Sequence, residues 1–316
     1  MVIMPNDCLT NKSFMSTKKC MFNLKRSRRK FTIMIYILSK IYQNITTHNA
    51  CTTRELYYGN TILFQNNLNV RKALINICCL LGTTSWNLGI TLTSSGLVAG
   101  DLIVHLCDGE IIDCSITPEG VQIPQDILSI QHFQTNAKYI LIVEKDASFQ
   151  KMLNEGIMKV QNNHYPCIMI TGKGFPDINT RLFVRQLYIK SNLPILALVD
   201  ANPYGIEIMC TYRFGSKEMA HQNEMLSVPC IKWLGVHPSD IVSLNLPTTP
   251  LSVLDRLKIE SLLKRPYIRS NHQILQQLLA LKYLNKKAEI ESLTTFTSSY
   301  LTGVYIKEKL LSHEFY

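Results

Sequence analysis

Three uniformly apolar segments alternate with two predicted helices between residues 139 and 199, and this pattern limits the possible folds more than any other feature. The apolar segments are Tyr139–Val143, Cys167–Thr171 and Ile195–Val199, and the helices are predicted to begin at Ala147 and Thr180. A strand that is apolar at every position is buried on both faces, as in parallel sheets that helices cover on both sides. The sequence therefore predicts a β-α-β-α-β unit, and ligands of such units bind at the carboxyl ends of the strands.

Polar residues follow these strands at that edge. Glu144 comes directly after the first strand, Asp200 directly after the third, and Asn202 two residues later. One carboxylate at a strand end is common, but two carboxylates and an amide form the oxygen-only cluster that Mg²⁺ prefers. Gly172-Lys173-Gly174 ends the strand between them and is either an ordinary turn or a place where a phosphate backbone approaches closely.

The earlier part of the chain has a different pattern, with two amphipathic helices and a hairpin. Apolar side chains recur at helical spacing from Phe31 to Tyr42 and from Val70 to Leu81. Residues 102–113 form two short segments around an Asp108-Gly109 turn, which is typical of a hairpin. Helices followed by a hairpin predict a winged helix over residues 31–130, a module that binds either DNA or protein.

Charge favours a polyanionic partner. The chain carries 33 Lys and Arg against 23 Asp and Glu, a formal net charge of +10, which suits either nucleic acid or an acidic membrane surface. Residues 1–30 hold eight Lys and Arg and one acid, Asp7. We interpret them as a basic N-terminal arm, which is either a DNA contact or nuclear address or a solvated terminus.

The sequence predicts neither a membrane span nor an export signal. The apolar run Phe31–Leu38 is far shorter than the roughly 20 residues that a spanning helix needs. Asn6 and Asp7 lie where a secretory signal would be apolar. The ten cysteines form no C-x-x-C pair and no cluster at zinc spacing, so we expect reduced thiols inside a cell.

Two adjacent tyrosines, Tyr57 and Tyr58, end the segment Thr52-Thr53-Arg54-Glu55-Leu56-Tyr57-Tyr58. Tyrosines on an amphipathic helix are normally packing residues. Arg54, one helical turn before Tyr58, is the feature that suggests an activated phenol. On residue chemistry alone, packing is the favoured role.

Seven longer motifs favour a chemical role for this tyrosine segment. They are TTRELYY at 52–58, GLVAGDL at 96–102, YILIVEKDASFQKML at 139–153, PCIMITGKGFPDINTRL at 166–182, LVDANPYGIEIMCTYRFGS at 198–216, VPCIKWLGVHPSD at 228–240 and LLKRPYI at 262–268. With these motifs the chain resembles the A subunit of topoisomerase VI and its eukaryotic relatives, the transesterases that initiate meiotic recombination. It is more similar to the eukaryotic meiotic branch, and only the first thirty or so residues fall outside the resemblance.

The resemblance implies a CAP-like winged-helix domain joined to a Toprim domain, which we place at residues 135–316 with a C-terminal helical extension. It implies that Tyr58 is the nucleophile and Arg54 its basic neighbour. Attack on DNA would leave a 5′-phosphotyrosyl link and a free 3′-hydroxyl. One chain has one such tyrosine, so a double-strand break requires a homodimer, in which each tyrosine faces the partner's Toprim site. The resemblance further implies a second partner, a topoisomerase VI B-like subunit, together with a place in the nucleus.

The resemblance also implies that Glu144, Asp200 and the residue at position 202 bind Mg²⁺, for which Mn²⁺ can substitute. Two positions depart from the family pattern. The second aspartate of the Toprim signature is Asn202 here, and a basic residue often found before the GLVAG segment is Ser95. An amide keeps an oxygen ligand but lacks the negative charge, which should weaken Mg²⁺ binding.

Three alternatives stay open. The first is a catalytically impaired relative that binds DNA or partners, favoured by Asn202 and opposed by the intact Tyr58, Arg54, Glu144 and Asp200. The second is a topoisomerase that reseals its breaks; it needs an ATPase partner, because this chain has no Walker-type loop. The third is a Toprim nuclease or primase, which the Arg-x-x-x-Tyr segment opposes.

Overall fold

A computed structural model describes residues 2–5, 15–18, 22–47, 49–91, 94–157, 166–216, 219 and 222–316. The chain forms two compact units: residues 1–93 with 216–224, and residues 94–215 with 225–316. Residues 1, 6–14 and 19–21 of the predicted basic arm lie outside the described residues. The assignment of residues 31–130 to one winged-helix domain stays a prediction.

The first unit is mostly helical. In chain order its main elements are β1 (Val2–Pro5), β2 (Met15–Lys18), α1 (Lys25–Thr46), β3 (Cys51–Thr52), α2 (Thr53–Gly59), α3 (Thr61–Phe64), α4 (Asn67–Leu81), a 3₁₀ turn (Trp86–Leu88) and β4 (Ile90–Thr91). Strands β1 and β2 pair antiparallel, and β3 and β4 pair in parallel. The apolar faces of the helices meet in a core that includes Ile37, Phe64 and Ile77.

Both amphipathic helices predicted from periodicity are present, but α1 begins earlier than expected. It starts at Lys25, ahead of the first apolar position at Phe31. Lys and Arg are good helix formers and need no buried face, so the charged segment extends the helix toward its N-terminus. Helix α4 ends at Gly82, whose φ of 63° lies in the left-handed region that glycine adopts without strain.

The remaining elements follow in chain order. They are β5 (Leu97–Gly100), β6 (Ile103–Leu106), β7 (Ile111–Asp113), β8 (Val121–Gln122), a 3₁₀ turn (Ile127–Ser129), β9 (Ile130–Gln134), β10 (Tyr139–Val143), α5 (Asp146–Asn154), β11 (Cys167–Thr171), α6 (Ile178–Ser191), β12 (Ile195–Leu198), α7 (Pro203–Phe214), α8 (Asn223–Leu226), β13 (Lys232–Gly235), α9 (Pro238–Ser243), β14 (Thr249–Pro250), α10 (Val253–Leu263), α11 (Pro266–Ser270), α12 (His272–Leu284), β15 (Lys286–Lys287), a 3₁₀ turn (Ile290–Thr295), a π-helical turn (Leu301–Tyr305) and α13 (Ile306–Ser312).

A six-stranded sheet organises the second unit, with strand order β13-β12-β10-β11-β5-β8. The four strands from β13 to β11 are parallel, and three of them are the predicted apolar segments. Strand β5 pairs antiparallel with β11, and β8 pairs antiparallel with β5. Every residue of β10, β11 and β12 is buried, which explains their continuous apolar sequence. Because β10 lies between β11 and β12, the carboxyl ends of all three strands meet at one edge, called the carboxyl edge below.

The predicted hairpin around Asp108-Gly109 is also present. Strands β6 and β7 pair antiparallel, and β9 pairs with the other side of β6 to make a three-stranded sheet. Gly109 has a φ of 90°, a value that L side chains rarely adopt, so the turn depends on glycine. The hairpin is consistent with a wing but does not by itself establish a winged helix.

Two further expectations concern membranes and thiols. Within the described ranges, no helix has the length and apolar character needed to cross a membrane. Cys78 and Cys114 are buried thiols, and burial raises the pKa of each to about 12. They pack as small core residues.

Replacing Ile170 with alanine should lower the free energy of unfolding by about 2 to 5 kcal/mol, because this fully buried side chain of β11 would leave a cavity. Ile189 of α6 is 56% exposed, so Ile189→Ala should change it by less than about 0.5 kcal/mol. Urea titration followed by circular dichroism measures both values. Equal losses in the two variants would contradict the central place of β11 in the sheet.

Candidate metal site and candidate nucleophile

Glu144 and Asp200 lie side by side at the carboxyl edge. Strands β10 and β12 are neighbours in parallel register, with Val143 beside Leu198, so the residues that follow them emerge together. The backbone N–H of Asp200 donates to Oε2 of Glu144 over 2.8 Å. Both acids are almost fully buried, with 7% and 2% of their surface exposed. The structure thus brings together the two acids that strand position predicts.

Burial makes this pair electrostatically unfavourable as two free anions. Loss of solvent, followed by repulsion from Asp200, raises the pKa of Glu144 to about 7. Burial also raises the pKa of Asp200, although the N–H of Ile290 donates to its Oδ1 over 2.9 Å and Lys145 lies 3.1 Å from its Oδ2. A pair of buried acids in this state favours a bound cation.

Asn202 lies beside Asp200 but points its amide oxygen elsewhere. Its Oδ1 accepts hydrogen bonds from the N–H groups of Tyr204 and Gly205, at 2.9 and 2.8 Å, and so caps the N-terminus of α7. Its Nδ2 donates to Oδ2 of Asp200 over 3.2 Å. Since both lone pairs of the amide oxygen are used, metal ligation by Asn202 would require one of these hydrogen bonds to break.

Gly205 allows α7 to approach both acids. A Cβ atom at this position would lie 2.5 Å from the carbonyl oxygen of Asp200 and 2.8 Å from Oε2 of Glu144. No side chain fits there without displacing the pair. The N-terminus of α7, with its positive dipole end, therefore packs directly against the buried carboxylates.

The donor set fits Mg²⁺ better than a metal that needs an all-protein cage. Within the described part of the chain, no three His, Cys, Asp or Glu side chains are arranged to hold a metal ion. Mg²⁺ keeps several waters and commonly binds through one or two carboxylates together with substrate phosphates. Glu144 and Asp200 supply such a pair of oxygen ligands.

Three nearby residues at this edge escaped sequence reasoning: Lys145, Glu289 and Glu291. The ammonium of Lys145 lies 3.0 Å from a carboxylate oxygen of each glutamate as well as near Asp200. Lys145 directly follows Glu144, so its position was a usable signal. The two glutamates come from a distant segment after β15, and no local pattern marks them.

The two loop features noted in the sequence have structural roles. Lys173 of the glycine-rich loop lies 3.4 Å from Asp146, and the N–H of Gly174 donates to the backbone oxygen of Glu144 over 2.8 Å. Ser95 donates from both its N–H and its hydroxyl to Asp177, each over 2.8 Å. Asp177 caps α6, so Ser95 holds the start of that helix.

The first unit presents Tyr58 on the surface of α2. Thr52 and Glu55 form a reciprocal capping box that begins this helix, at 3.1 and 2.7 Å. Tyr58 is 73% exposed, whereas the neighbouring Tyr57 is half-buried and its hydroxyl lies 3.4 Å from the backbone oxygen of Gln65. Arg54 is also exposed. Tyr57 is therefore the packing residue of the pair, and the phenol of Tyr58 is open to a reaction partner.

Two family models match most of the chain. The model for the Toprim domain of Spo11 and the A subunit of topoisomerase 6 matches residues 139–310, and the model for type IIB DNA topoisomerase matches residues 29–90. The chain belongs to the topoisomerase VI A/Spo11 family.

Members of the topoisomerase VI A/Spo11 family align with nearly all of the chain. Meiotic recombination protein SPO11 of Mus musculus is 41% identical over 298 residues, which cover 93% of this chain and 74% of the relative. Meiotic recombination protein W68 of Drosophila melanogaster is 36% identical over 293 residues, covering 93% and 86%. The A subunit of DNA topoisomerase 6 from Arabidopsis thaliana is 35% identical over 288 residues, covering 90% and 66%.

Family membership confirms the resemblance and the enzyme class. The chain is a DNA-cleaving transesterase related to the type IIB topoisomerases, and its second unit contains a Toprim domain. The roles of Tyr58, Arg54, Glu144, Asp200 and Asn202 stay predictions.

Asn202→Asp should raise the affinity of the protein for Mn²⁺ by about tenfold, or about 1.4 kcal/mol. Aspartate can still cap α7, and it replaces the amide group that now donates to Asp200 with a second negative charge. Isothermal titration calorimetry on the protein without DNA measures the affinity. Asn202→Ser, which keeps a capping oxygen without the charge, is the matched control. An unchanged affinity in Asn202→Asp would show that position 202 does not act on the metal.

Proposed function

We propose that this chain cuts both strands of DNA to initiate meiotic recombination, with Tyr58 as the nucleophile. The observation that carries the proposal is the exposed phenol of Tyr58 beside an exposed Arg54, in a member of a DNA-cleaving family. Relatives named as meiotic recombination proteins, from Mus musculus and Drosophila melanogaster, support the biological role. Action on chromosomal DNA places the protein in the nucleus.

Cleavage is a transfer of one phosphoester bond. The phenolic oxygen of Tyr58 attacks the scissile phosphorus and loses its proton as the new P–O bond forms. The bond from phosphorus to the 3′ oxygen breaks, and that oxygen takes up a proton to become a free 3′-hydroxyl. The products are a 5′-phosphotyrosyl link and a nick, with no net loss of phosphoester bonds.

Arg54 supports this attack through its charge. A phenol is a weak nucleophile unless a base or a neighbouring cation stabilises its anion. Arg54 lies one helical turn before Tyr58 on α2, and its guanidinium stays charged at any physiological pH. It therefore offsets negative charge on the phenol and on the phosphate as they meet.

Glu144 and Asp200 hold the metal ion in this proposal, and Asn202 contributes at most a weaker neutral ligand. Mg²⁺ or Mn²⁺, when bound, offsets the negative charge that gathers on phosphate oxygens during transfer. The two acids lie at a buried edge where their own charges favour a cation. Because they follow β10 and β12 closely, they would hold that cation at the carboxyl edge.

Charge distribution supports DNA binding by the first unit. Residues 1–93 carry 12 Lys and Arg against 2 Asp and Glu, so the whole net charge of +10 lies in this part of the sequence. A polyanion would be attracted to it in a salt-dependent way. We assign the helices of the first unit to this function.

The proposed assembly is a homodimer with a topoisomerase VI B-like subunit. One chain carries one Tyr58, so two chains are needed to cut two strands. In this arrangement each phenol acts at the metal site of the partner chain. A B-like subunit would supply any ATP-dependent control, because this sequence has no Walker-type phosphate loop.

A second candidate function is a catalytically impaired relative that binds DNA without cutting it. The observation in its favour is Asn202, which removes one charge from the metal site and uses its oxygen to cap α7. This candidate and the transesterase differ in one measurable product, the covalent bond between protein and DNA.

Tyr58→Phe should abolish the covalent adduct with DNA, because phenylalanine lacks the attacking oxygen. Protein, labelled duplex and Mg²⁺ or Mn²⁺ are incubated together with a B-like subunit, denatured, and separated on a gel. Tyr57→Phe, which alters the half-buried neighbour, is the matched control and should keep at least half of the adduct. Arg54→Ala should reduce the adduct about tenfold or more, by analogy with loss of one charge-stabilising group.

An adduct that persists in Tyr58→Phe would contradict the nucleophile assignment. If the unaltered chain binds the duplex in a mobility-shift assay but gives no adduct at any metal concentration, the impaired relative is the correct function. An adduct formed without any divalent ion would contradict the role of Glu144 and Asp200.

A further inference from the structure

The ammonium of Lys145 lies at the centre of a group of carboxylate oxygens. Its Nζ is 3.1 Å from Oδ2 of Asp200, 3.0 Å from Oε2 of Glu289 and 3.0 Å from Oε2 of Glu291. These three acids come from two separate places in the sequence. One positive charge thus joins the end of β12 to the segment that follows β15.

Hydrogen bonds fix two of these carboxylates around the ammonium. The other oxygen of Glu291 accepts from the hydroxyl of Ser148 over 2.9 Å, and the other oxygen of Asp200 accepts from the N–H of Ile290 over 2.9 Å. The ammonium of Lys145 contacts all three carboxylates at 3.0 to 3.1 Å. The arrangement is an ordered cation position with its cation in place.

With the ammonium in place these three acids are not arranged to hold a metal ion, but carboxylate oxygens are the ligands that a divalent cation selects once such a position is open. Many phosphoryl-transfer sites hold two metal ions about 3.5 to 4 Å apart, and the two ions share a bridging carboxylate or phosphate. Asp200 takes part in both groups here, since its backbone N–H donates to Glu144 and its carboxylate contacts Lys145. The ammonium therefore occupies the place that a second metal ion would take.

We propose that Lys145 is a built-in second cation of this site, held by Asp200, Glu289 and Glu291, so that the chain binds one divalent ion and not two. The inference rests on the proposed function for the first ion, at Glu144 and Asp200. The side chain of Lys145 is 29% exposed, so its charge also faces outward from the carboxyl edge. There it can offset charge on a bound phosphate as a positioning residue, without metal.

Counting bound Mn²⁺ ions tests this proposal without DNA and without activity. The full chain is titrated with Mn²⁺, and free ion is measured by electron paramagnetic resonance. The unaltered chain should bind one ion, and Lys145→Met should bind two, because removal of the ammonium opens the second position. Lys173→Met is the matched control: it removes the same charge from the same edge but its amine pairs with Asp146 instead. It should bind one ion.

Two further variants make the result specific. The triple variant combines Lys145→Met with Glu289→Gln and Glu291→Gln. It should bind one Mn²⁺ ion instead of two, because the ligands of the second position are lost. Lys145→Ala should behave as Lys145→Met does, and it serves as the test if methionine prevents folding, which circular dichroism reports.

The proposal is overturned if Lys145→Met and Lys145→Ala bind no more ions than the unaltered chain, or if the added glutamines leave a gained ion in place. A gain in Lys173→Met equal to that in Lys145→Met would also overturn it, since a general charge effect would then suffice. An unaltered chain that binds no ion would refute the proposed first metal site alone. In that case, the proposal for Lys145 would still require Lys145→Met to bind one Mn²⁺ ion more than the unaltered chain.

Discussion

The parallel pairing of β10 with β12 places two carboxylates at one buried edge, and the local structure around them compensates for their charge. The register that puts Val143 beside Leu198 leaves Glu144 and Asp200 next to each other with almost no access to water. Two anions in such a place repel each other and lose hydration. Three surrounding groups offset this charge as donors or cations: the Ile290 amide, the N-terminus of α7 and Lys145. A structure that served stability alone would not bury this pair.

The unfavourable free energy of burying these two carboxylates explains why the site prefers a cation. The raised pKa of Glu144, to about 7, means that protons compete with a metal ion for this carboxylate near neutral pH. A divalent cation relieves the repulsion that burial creates, so the pair has an intrinsic preference for it. The stable apolar strands on either side hold the two acids in this unfavourable position, and a bound cation relieves it. Active sites are often less stable than the rest of a fold for this reason.

The centre of the second unit's sheet follows from local sequence patterns. Continuous apolar runs predicted β10, β11 and β12 with nearly correct bounds, because burial on both faces leaves no other composition possible. The antiparallel additions β5 and β8 were not predicted, since pairing partners distant in sequence leave no local signal. The same limit explains why Glu289 and Glu291 were missed: chain reversal after β15 brings them to the carboxyl edge, and only the folded backbone reveals it.

Tyr58 shows a different limit. Its periodicity on α2 is compatible with packing, and only its observed exposure separates it from Tyr57. Adjacent residues on a helix face directions about 100° apart, so one member of a pair can pack while the other reaches solvent. The sequence shows two adjacent tyrosines, and the family resemblance favours the second, Tyr58, as the nucleophile. The structure adds a physical reason for that choice, since the half-buried phenol of Tyr57 cannot approach a phosphate without disturbing the core.

The side chains at positions 145 and 202 contact the same atom, Oδ2 of Asp200. The charge that Lys145 must balance therefore depends on which residue stands at position 202. Lys145 and the amide of Asn202 both donate to Oδ2 of Asp200, at 3.1 and 3.2 Å. An aspartate at position 202 would remove one donor and add a negative charge beside that oxygen, so the single ammonium would then balance a larger negative charge. With asparagine there, the proposed arrangement needs only one lysine and one divalent ion to balance the acids. The amide at position 202 is thus compatible with the proposed metal site, provided that Lys145 supplies the second positive centre.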